Sequence, residues 1–141
     1  MNLRGSVALV GMGETEVGSL PDRGSTEICA EAARLALADA GLAKYQVDGL
    51  VTCNPWVEPH LYHAEMFAEY MQIFPKFCMT LNAGGATSLA AVHRAAAMIV
   101  TGACATVLIT HGDNARTGMS PKEVRRSETI CVPYFQPLTT P

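Results

Sequence analysis

The chain has 141 residues, the length of one domain and at most one compact α/β unit. Its 49% apolar and 16% charged residues are typical of a globular domain and exclude a disordered tail. A net charge of −3 without a basic stripe argues against duplex nucleic acid or an anionic membrane as a partner.

The five cysteines are widely spaced, odd in number and without a C-x-x-C pair. This pattern disfavours a disulfide framework or a zinc cluster and fits a reducing cytoplasm. Apolar runs stay below the ~18 residues of a membrane-spanning helix, and the N-terminus lacks the core of a signal peptide. We therefore expect a cytoplasmic protein whose thiols are mostly small buried hydrophobes.

Short apolar runs rich in β-branched residues alternate with helical patterns along the chain. The run Ser6–Val10, bounded by Gly5 and Gly11, predicts a buried strand. Further strands are predicted at 49–53, 77–81 and 106–110, and helices at 25–40, 61–73 and 86–100. Strands that alternate with helices predict an α/β protein with a parallel sheet covered on both faces.

The spacing of apolar residues predicts which face of each helix is buried. In the first helix the predicted inward residues are Ile28, Ala32, Leu35 and Ala36. For the second they are Leu61, Met66, Phe67, Tyr70 and Phe74. The third is apolar nearly all round, which is typical of a helix buried between layers, with one face marked by Leu89, Val92, Ala96, Ile99 and Val100.

Several short motifs are weak. Gly11-Met12-Gly13 follows a predicted strand, as a dinucleotide-binding turn would, but Glu16 occupies the third glycine position. An ordinary turn is the favoured interpretation. His60 and His63 are three residues apart, yet no second ligand pair accompanies them, so packed or solvated histidines are favoured over a metal site. His93 is expected in the core or an interface.

Thr80–Val92 is the most informative segment, because a strand enters a glycine turn and a helix begins at once. The positive end of such a helix suits an oxyanion or a thiolate of lowered pKa. The segment resembles the nucleophile turn of thiolases, roughly T-V-N-x-x-C-x-S-G-L-x-A-V. Thr87 and Ser88 take the Ser and Gly positions, and Gly85 takes that of the catalytic cysteine. The positions in agreement are Thr80, Leu81, Asn82, Leu89, Ala91 and Val92.

Other segments from about residue 5 to 116 also resemble thiolase-like proteins, best the sterol-carrier-protein-x and lipid-transfer type. The resemblance implies the N-terminal half of a five-layer αβαβα fold, a βαβαβαβ unit with a mixed, mostly parallel sheet. Residues 1–114 would form an incomplete N-terminal domain, and 115–141 would begin an irregular loop region.

Gly85 is the main departure from the thiolase pattern, because a thiolase needs a cysteine thiolate to take the acyl group. Cys78 and Cys104 are too far along the chain to replace it. The resembled branch includes members without this cysteine, some of them aldolases or retro-aldolases that act on acyl-CoA with a small OB-fold partner. The resemblance thus implies an acyl-CoA enzyme of the acyltransferase superfamily, with no catalytic residue in this chain and no cofactor.

The same resemblance assigns an acyl-CoA pocket and a homodimer. The pocket would be lined by Asn82, Gly84, Gly85, Thr87 and Ser88, with His111 at the carboxyl edge of the sheet as a weaker candidate. The dimer would form through the strand Phe77–Leu81. Two alternatives stay open: a non-catalytic binding or scaffold subunit completed by a partner chain, and an acyltransferase that uses another cysteine.

Overall fold

The computed structural model describes residues 3–118. Its helices are α1 (Ser25–Asp39), α2 (His63–Met71), α3 (Thr87–Val100) and the single turn α4 (Ala115–Gly118). Its strands are β1 (Gly49–Thr52), β2 (Phe77–Thr80) and β3 (Val107–Thr110). Within this part of the chain, no helix is long and apolar enough to cross a membrane. The predicted irregular region thus opens with α4, and the rest of it, residues 119–141, lies outside the described residues.

The three strands form a parallel sheet in the order β2-β1-β3. Gly49 of the central strand lies opposite Phe77 and Val107, and the register continues to the carboxyl ends of all three strands. Those ends therefore meet at one edge, where parallel sheets place their binding sites. The predicted α/β class with a parallel sheet is confirmed.

Alternate residues of the strands build a core on each face of the sheet. Leu50 and Leu108 pack with α1 and α2 around Phe67, whose side chain is fully buried. Val51 faces the other way and packs with Ala91 and Met98 of α3. The sheet is thus the middle layer of three, and α3 covers one face by itself.

Of the predicted inward residues of the second helix, Phe67 is buried, Met66 is half-buried and the other three predictions are wrong. Leu61, Tyr70 and Phe74 are exposed, Phe74 by 93%. The buried residues are instead His63, Ala64, Phe67, Ala68 and Met71. Three of these five buried residues are a histidine and two alanines, so the spacing of large apolar side chains does not identify this face.

The predicted faces of the other two helices also differ from the structure. Leu89 of α3 is 79% exposed, and the sheet is met by Thr87, Ala91, Ala95 and Met98 instead. In α1 Ile28 is buried as predicted, but Leu35 is exposed. Small side chains let these helices approach the sheet closely, and an alanine-rich sequence carries little signal for the face they use.

The strand predicted at Ser6–Val10 is not formed, although the chain there is free of helix. No hydrogen bond between backbone groups joins residues 7–13 to another described segment, although the Met12 N–H donates to the Asp39 carboxylate of α1 at 2.9 Å. Leu9 and Val10 are exposed by 73% and 62%. A groove of about 550 Å³ separates this segment from β3. A strand requires a hydrogen-bonded neighbour, and the described residues place none beside these.

The glycines of the Gly11-Met12-Gly13 motif serve helix packing. A Cβ at Gly11 would lie 2.3 Å from the carbonyl oxygen of Ala36, and one at Gly13 would lie 2.2 Å from that of Ala32. Only residues without a side chain allow the segment to lie this close to α1. This agrees with the preference for an ordinary structural turn over a nucleotide site.

Asp48 joins the three strands at their amino ends. Its carboxylate accepts the N–H groups of Ala105 and Thr106, at 2.9 and 2.8 Å, and pairs with Lys76 at 3.1 Å. Its backbone carbonyl accepts the Lys76 N–H at 2.8 Å. Burial acts to raise the pKa of Asp48, but these donors outweigh it and hold the pKa below its usual value.

Candidate functional site

The turn between β2 and α3 is closed by one side chain. The Thr87 hydroxyl accepts the Ala83 N–H at 2.8 Å and donates to the Gly84 carbonyl at 2.7 Å. Thr87 itself is buried at the start of α3. Because the hydroxyl spans both ends of the turn, a threonine here fixes the backbone path of residues 83–87.

The two glycines of the turn differ in backbone conformation. Gly84 has φ +56°, a left-handed conformation that L side chains adopt at a cost. Gly85 has an ordinary φ, and a Cβ there would meet no described atom within 4 Å. The position that carries the nucleophile in the thiolase pattern is therefore exposed and has room for a side chain.

Two backbone donors of this turn are free among the described residues. Within residues 3–118, the N–H groups of Gly84 and Gly85 have no recorded acceptor. They lie at the start of α3, where the aligned peptide dipoles favour negative charge. The turn can thus bind a carbonyl oxygen or an oxyanion through its backbone.

Asn82 connects the turn to the end of β1. Its Oδ1 accepts the Asn54 N–H at 3.2 Å and lies 3.5 Å from the Sγ of Cys53. Cys53 is buried, and its own N–H pairs with the Thr110 carbonyl of β3. The carboxyl ends of all three strands therefore contribute to the support of this turn.

A buried histidine lies beneath the same edge. His63 is fully buried, and its Nδ1 is 3.0 Å from the Thr52 hydroxyl, which lies 3.5 Å from the Thr80 hydroxyl. Thr80 in turn accepts the Ala64 N–H. Burial lowers the pKa of His63, and nearby His60 and His111 lower it further, so the imidazole is neutral.

The loop that follows β1 is tied to the loop that follows β3. Asp113 accepts the N–H groups of Trp56 and Val57, at 2.7 and 3.3 Å. Glu58 accepts the Ser25 N–H at 2.6 Å, at the start of α1. These bonds hold the 54–62 loop in one arrangement at the carboxyl edge of the sheet.

The described thiols are poor nucleophiles. Burial raises the pKa of Cys29 to about 12, and burial likewise raises the pKa of Cys53, Cys78 and Cys104. A thiol attacks only as the thiolate, so these groups remain protonated and unreactive near neutral pH. Of the four, Cys53 is the one in contact with the turn.

The structure brings together most of the predicted site residues. Asn82, Gly84, Gly85 and Thr87 form one turn, whereas exposed Ser88 lines the groove beside the N-terminal segment. His111 follows β3 at the same edge of the sheet and is exposed. The described residues hold no cluster of three or more metal-ligating groups, and His93 is exposed rather than part of the core.

Cys53, Asn54 and His63 are the residues that the motif comparison missed. The signal for Cys53 and Asn54 was their place at the carboxyl end of a predicted strand neighbouring the turn. His63 lacked even that, because its contact with Thr52 depends on how α2 packs on β1.

Two curated relatives align with this chain over 119 residues, 83% of its length. One is a steroid side-chain-cleaving aldolase of Thermomonospora curvata, 32% identical. The other is a 17-hydroxy-3-oxo-4-pregnene-20-carboxyl-CoA lyase of Mycobacterium tuberculosis, 34% identical. The chain spans about three tenths of each, 29% and 30% of their lengths. No protein-family model matches the sequence.

Solved structures share the same architecture. An Ltp2-ChsH2(DUF35) aldolase superposes with a TM-score of 0.73 and 29% identity over 99% of this chain and 35% of its own. A monomeric SCP2-thiolase-like protein of Mycobacterium smegmatis gives 0.57 and 22%, over 71% of this chain and 22% of its own. The 3-oxoacyl-[acyl-carrier-protein] synthase III of Aquifex aeolicus gives 0.63 and 14%, over 79% and 38%.

The parallel sheet, the glycine turn and the helix that follows define a thiolase-like α/β protein. The chain is thiolase-like in fold and similar in sequence to the two curated relatives, as its sequence resemblance predicts.

Proposed function

We propose that this chain is the N-terminal portion of an acyl-CoA enzyme that makes or breaks a carbon–carbon bond by aldol chemistry. The observation that carries the proposal is Gly85, an open position with free backbone donors where the thiolase pattern has its cysteine. A turn without a nucleophile cannot form a thioester, but it can hold one. The names of the two curated relatives, an aldolase and a CoA lyase, support this chemistry.

In this role the turn binds the thioester carbonyl rather than attacking it. Retro-aldol cleavage of a 3-hydroxyacyl-CoA takes the proton from the hydroxyl and breaks the bond between the α and β carbons. The electron pair passes to the thioester as an enolate, which then accepts a proton at the α carbon. Donors at the carbonyl oxygen stabilise that enolate.

The groups that move protons lie outside this turn. Residues 82–88 contain no titratable side chain, and buried His63 is held neutral against Thr52. The acid–base groups of the proposed reaction therefore come from outside residues 82–88. A steroid-derived acyl chain is the substrate class we propose, since both curated relatives are named for steroid-type substrates.

We also propose two protein contacts. β2 is an edge strand with half-buried side chains, which suits pairing with a second copy across a two-fold axis. A separate partner subunit of the OB-fold type is the other contact. It is supported by the name of the Ltp2-ChsH2(DUF35) aldolase, which joins two components.

The first test separates binding from acyl transfer. The 141-residue chain is incubated with octanoyl-CoA, followed by calorimetry and intact mass spectrometry. We expect binding with no change in protein mass. An octanoyl adduct on any cysteine would overturn the proposal and favour an acyltransferase that uses a thiol other than the usual one.

A second test addresses turnover in the complete polypeptide that carries this chain. A 3-hydroxyacyl-CoA with a tertiary alcohol should release a ketone and a shortened acyl-CoA. Binding without release would favour the alternative, a non-catalytic thiolase-like subunit, which the absence of titratable groups from residues 82–88 also supports.

A further inference from the structure

The side-chain amide of Asn82 is held in one orientation. A backbone N–H can only donate, so the atom that meets the Asn54 N–H at 3.2 Å is the amide oxygen. The nitrogen, on the other arm of the amide, has no acceptor within residues 3–118. Asn82 is exposed, so these N–H bonds are available to a ligand.

Cys53 is the second hydrogen-bond donor to the amide oxygen of Asn82. Its Sγ lies 3.5 Å from Asn82 Oδ1 and 3.7 Å from the Asn54 carbonyl oxygen, and its single proton is donated at the shorter contact, to Asn82. Burial raises the pKa of the Cys53 thiol. The thiol therefore keeps its proton and acts as a donor.

The amide nitrogen lies within the same short turn as the free backbone donors. Asn82 precedes Gly84 and Gly85 by two and three residues, and the Thr87 hydroxyl fixes the backbone between them. A side-chain donor and backbone donors thus come from one rigid piece of chain. Donors fixed before the ligand arrives need no reorganisation when charge develops on an oxygen.

We propose that the Asn82 amide nitrogen donates a hydrogen bond to the thioester carbonyl of the bound acyl-CoA, and that Cys53 and Asn54 position it. This role rests on the proposed function and specifies how the turn recognises its substrate. It gives the buried thiol a positioning role: the cysteine holds the group that contacts the substrate.

The test compares two ligands that differ at the carbonyl. Hexanoyl-CoA carries the thioester oxygen, and S-hexyl-CoA replaces the C=O group by CH₂. We expect the chain to bind hexanoyl-CoA more tightly, with the Asn82 bond supplying about fivefold of the preference, the effect of one neutral hydrogen bond. Asn82→Asp keeps an oxygen for both donors but removes the N–H groups, so the preference should fall about fivefold, to the part that the backbone donors supply.

Gln46→Glu is the matched control. The Gln46 Oε1 also accepts a backbone N–H, from Ala43 at 2.9 Å, and the residue lies before β1 at the opposite edge of the sheet. The same chemical change and the same added charge should leave the ligand preference intact. The ratio of the two affinities is the readout, because the added charge affects both CoA ligands alike.

Cys53 is tested by removal and rescue. Cys53→Ala should reduce the preference, and Cys53→Ser, which restores a donor, should recover it. A merely structural role would weaken both ligands equally. A preference unchanged in Asn82→Asp overturns the assigned role while the proposed function stands. Failure of the unaltered chain to bind either ligand overturns the proposed function.

Discussion

Two neighbouring glycines should respond in opposite ways to the same substitution. At φ +56°, Gly84→Ala places an L residue in the left-handed region and should destabilise the fold by about 1–2 kcal/mol. Gly85→Ala meets no described atom within 4 Å. It should stabilise the fold by about 0.4–1 kcal/mol, because the unfolded chain loses conformational freedom.

Urea denaturation followed by far-UV circular dichroism measures both free energies of unfolding. The two variants should differ by about 1.4–3 kcal/mol, the combined effect of the two substitutions. They are matched in chemistry and adjacent in sequence, so general effects of an added methyl group cancel. Equal stabilities would refute the turn geometry on which the site depends.

Ligand binding makes the same pair informative about function. The methyl group of Gly85→Ala fills the open space beside the free N–H groups, so the more stable variant should bind octanoyl-CoA more weakly. Unchanged binding by a stabilised Gly85→Ala variant would show that the acyl group lies elsewhere, and it would contradict the proposed use of this turn.

Three other substitutions test features that support the site. Gly13→Ala brings a Cβ to 2.2 Å from the Ala32 carbonyl oxygen, so residues 7–13 should separate from α1 and become sensitive to limited proteolysis. Thr87→Val unpairs the Ala83 N–H and should cost about 1–3 kcal/mol in thermal unfolding. The lowered pKa of Asp48 means that its stabilisation is present above the usual value of about 3.9 and lost as pH falls through the lower folded value. Asp48→Asn should therefore make the free energy of unfolding less dependent on pH in the acid range. An unchanged pH dependence would contradict the role given to the Asp48 carboxylate contacts.

The order of elements was predictable because local patterns carry it. The helices α1–α3 and the strands β1–β3 were each predicted within about two residues, whereas the strand predicted at Ser6–Val10 is not formed and the single turn α4 was not predicted. The β-branched run in β3 and Gly41, which follows the end of α1 with a φ of +65°, are signals that need no tertiary information. The turn at residues 82–88 was found by its likeness to the thiolase pattern. The structure adds the hydrogen bonds and backbone angles of this turn.

The missing first strand, the buried helix faces and the contacts of the site depend on tertiary packing, which local sequence patterns do not carry. Ser6–Val10 has the composition of a strand, but strand formation requires a neighbour that composition cannot supply. The buried face of α3 was misjudged because alanine gives little contrast between faces. The Cys53–Asn82 contact joins residues 29 positions apart, and only the parallel register of β1 and β2 brings them together.

The parallel pairing also determines when, during synthesis, the central strand can acquire its two neighbours. β1 pairs Gly49 with Phe77 on one side and with Val107, 58 residues later, on the other. At a ribosomal rate of roughly 5–20 residues per second, the second neighbour follows the first strand by about 3–12 s. During that interval the central strand has at least one open edge, and the carboxylate of Asp48 lacks its backbone partners from residues 105 and 106. A factor that shields nascent chains would have its greatest effect on this protein in that window.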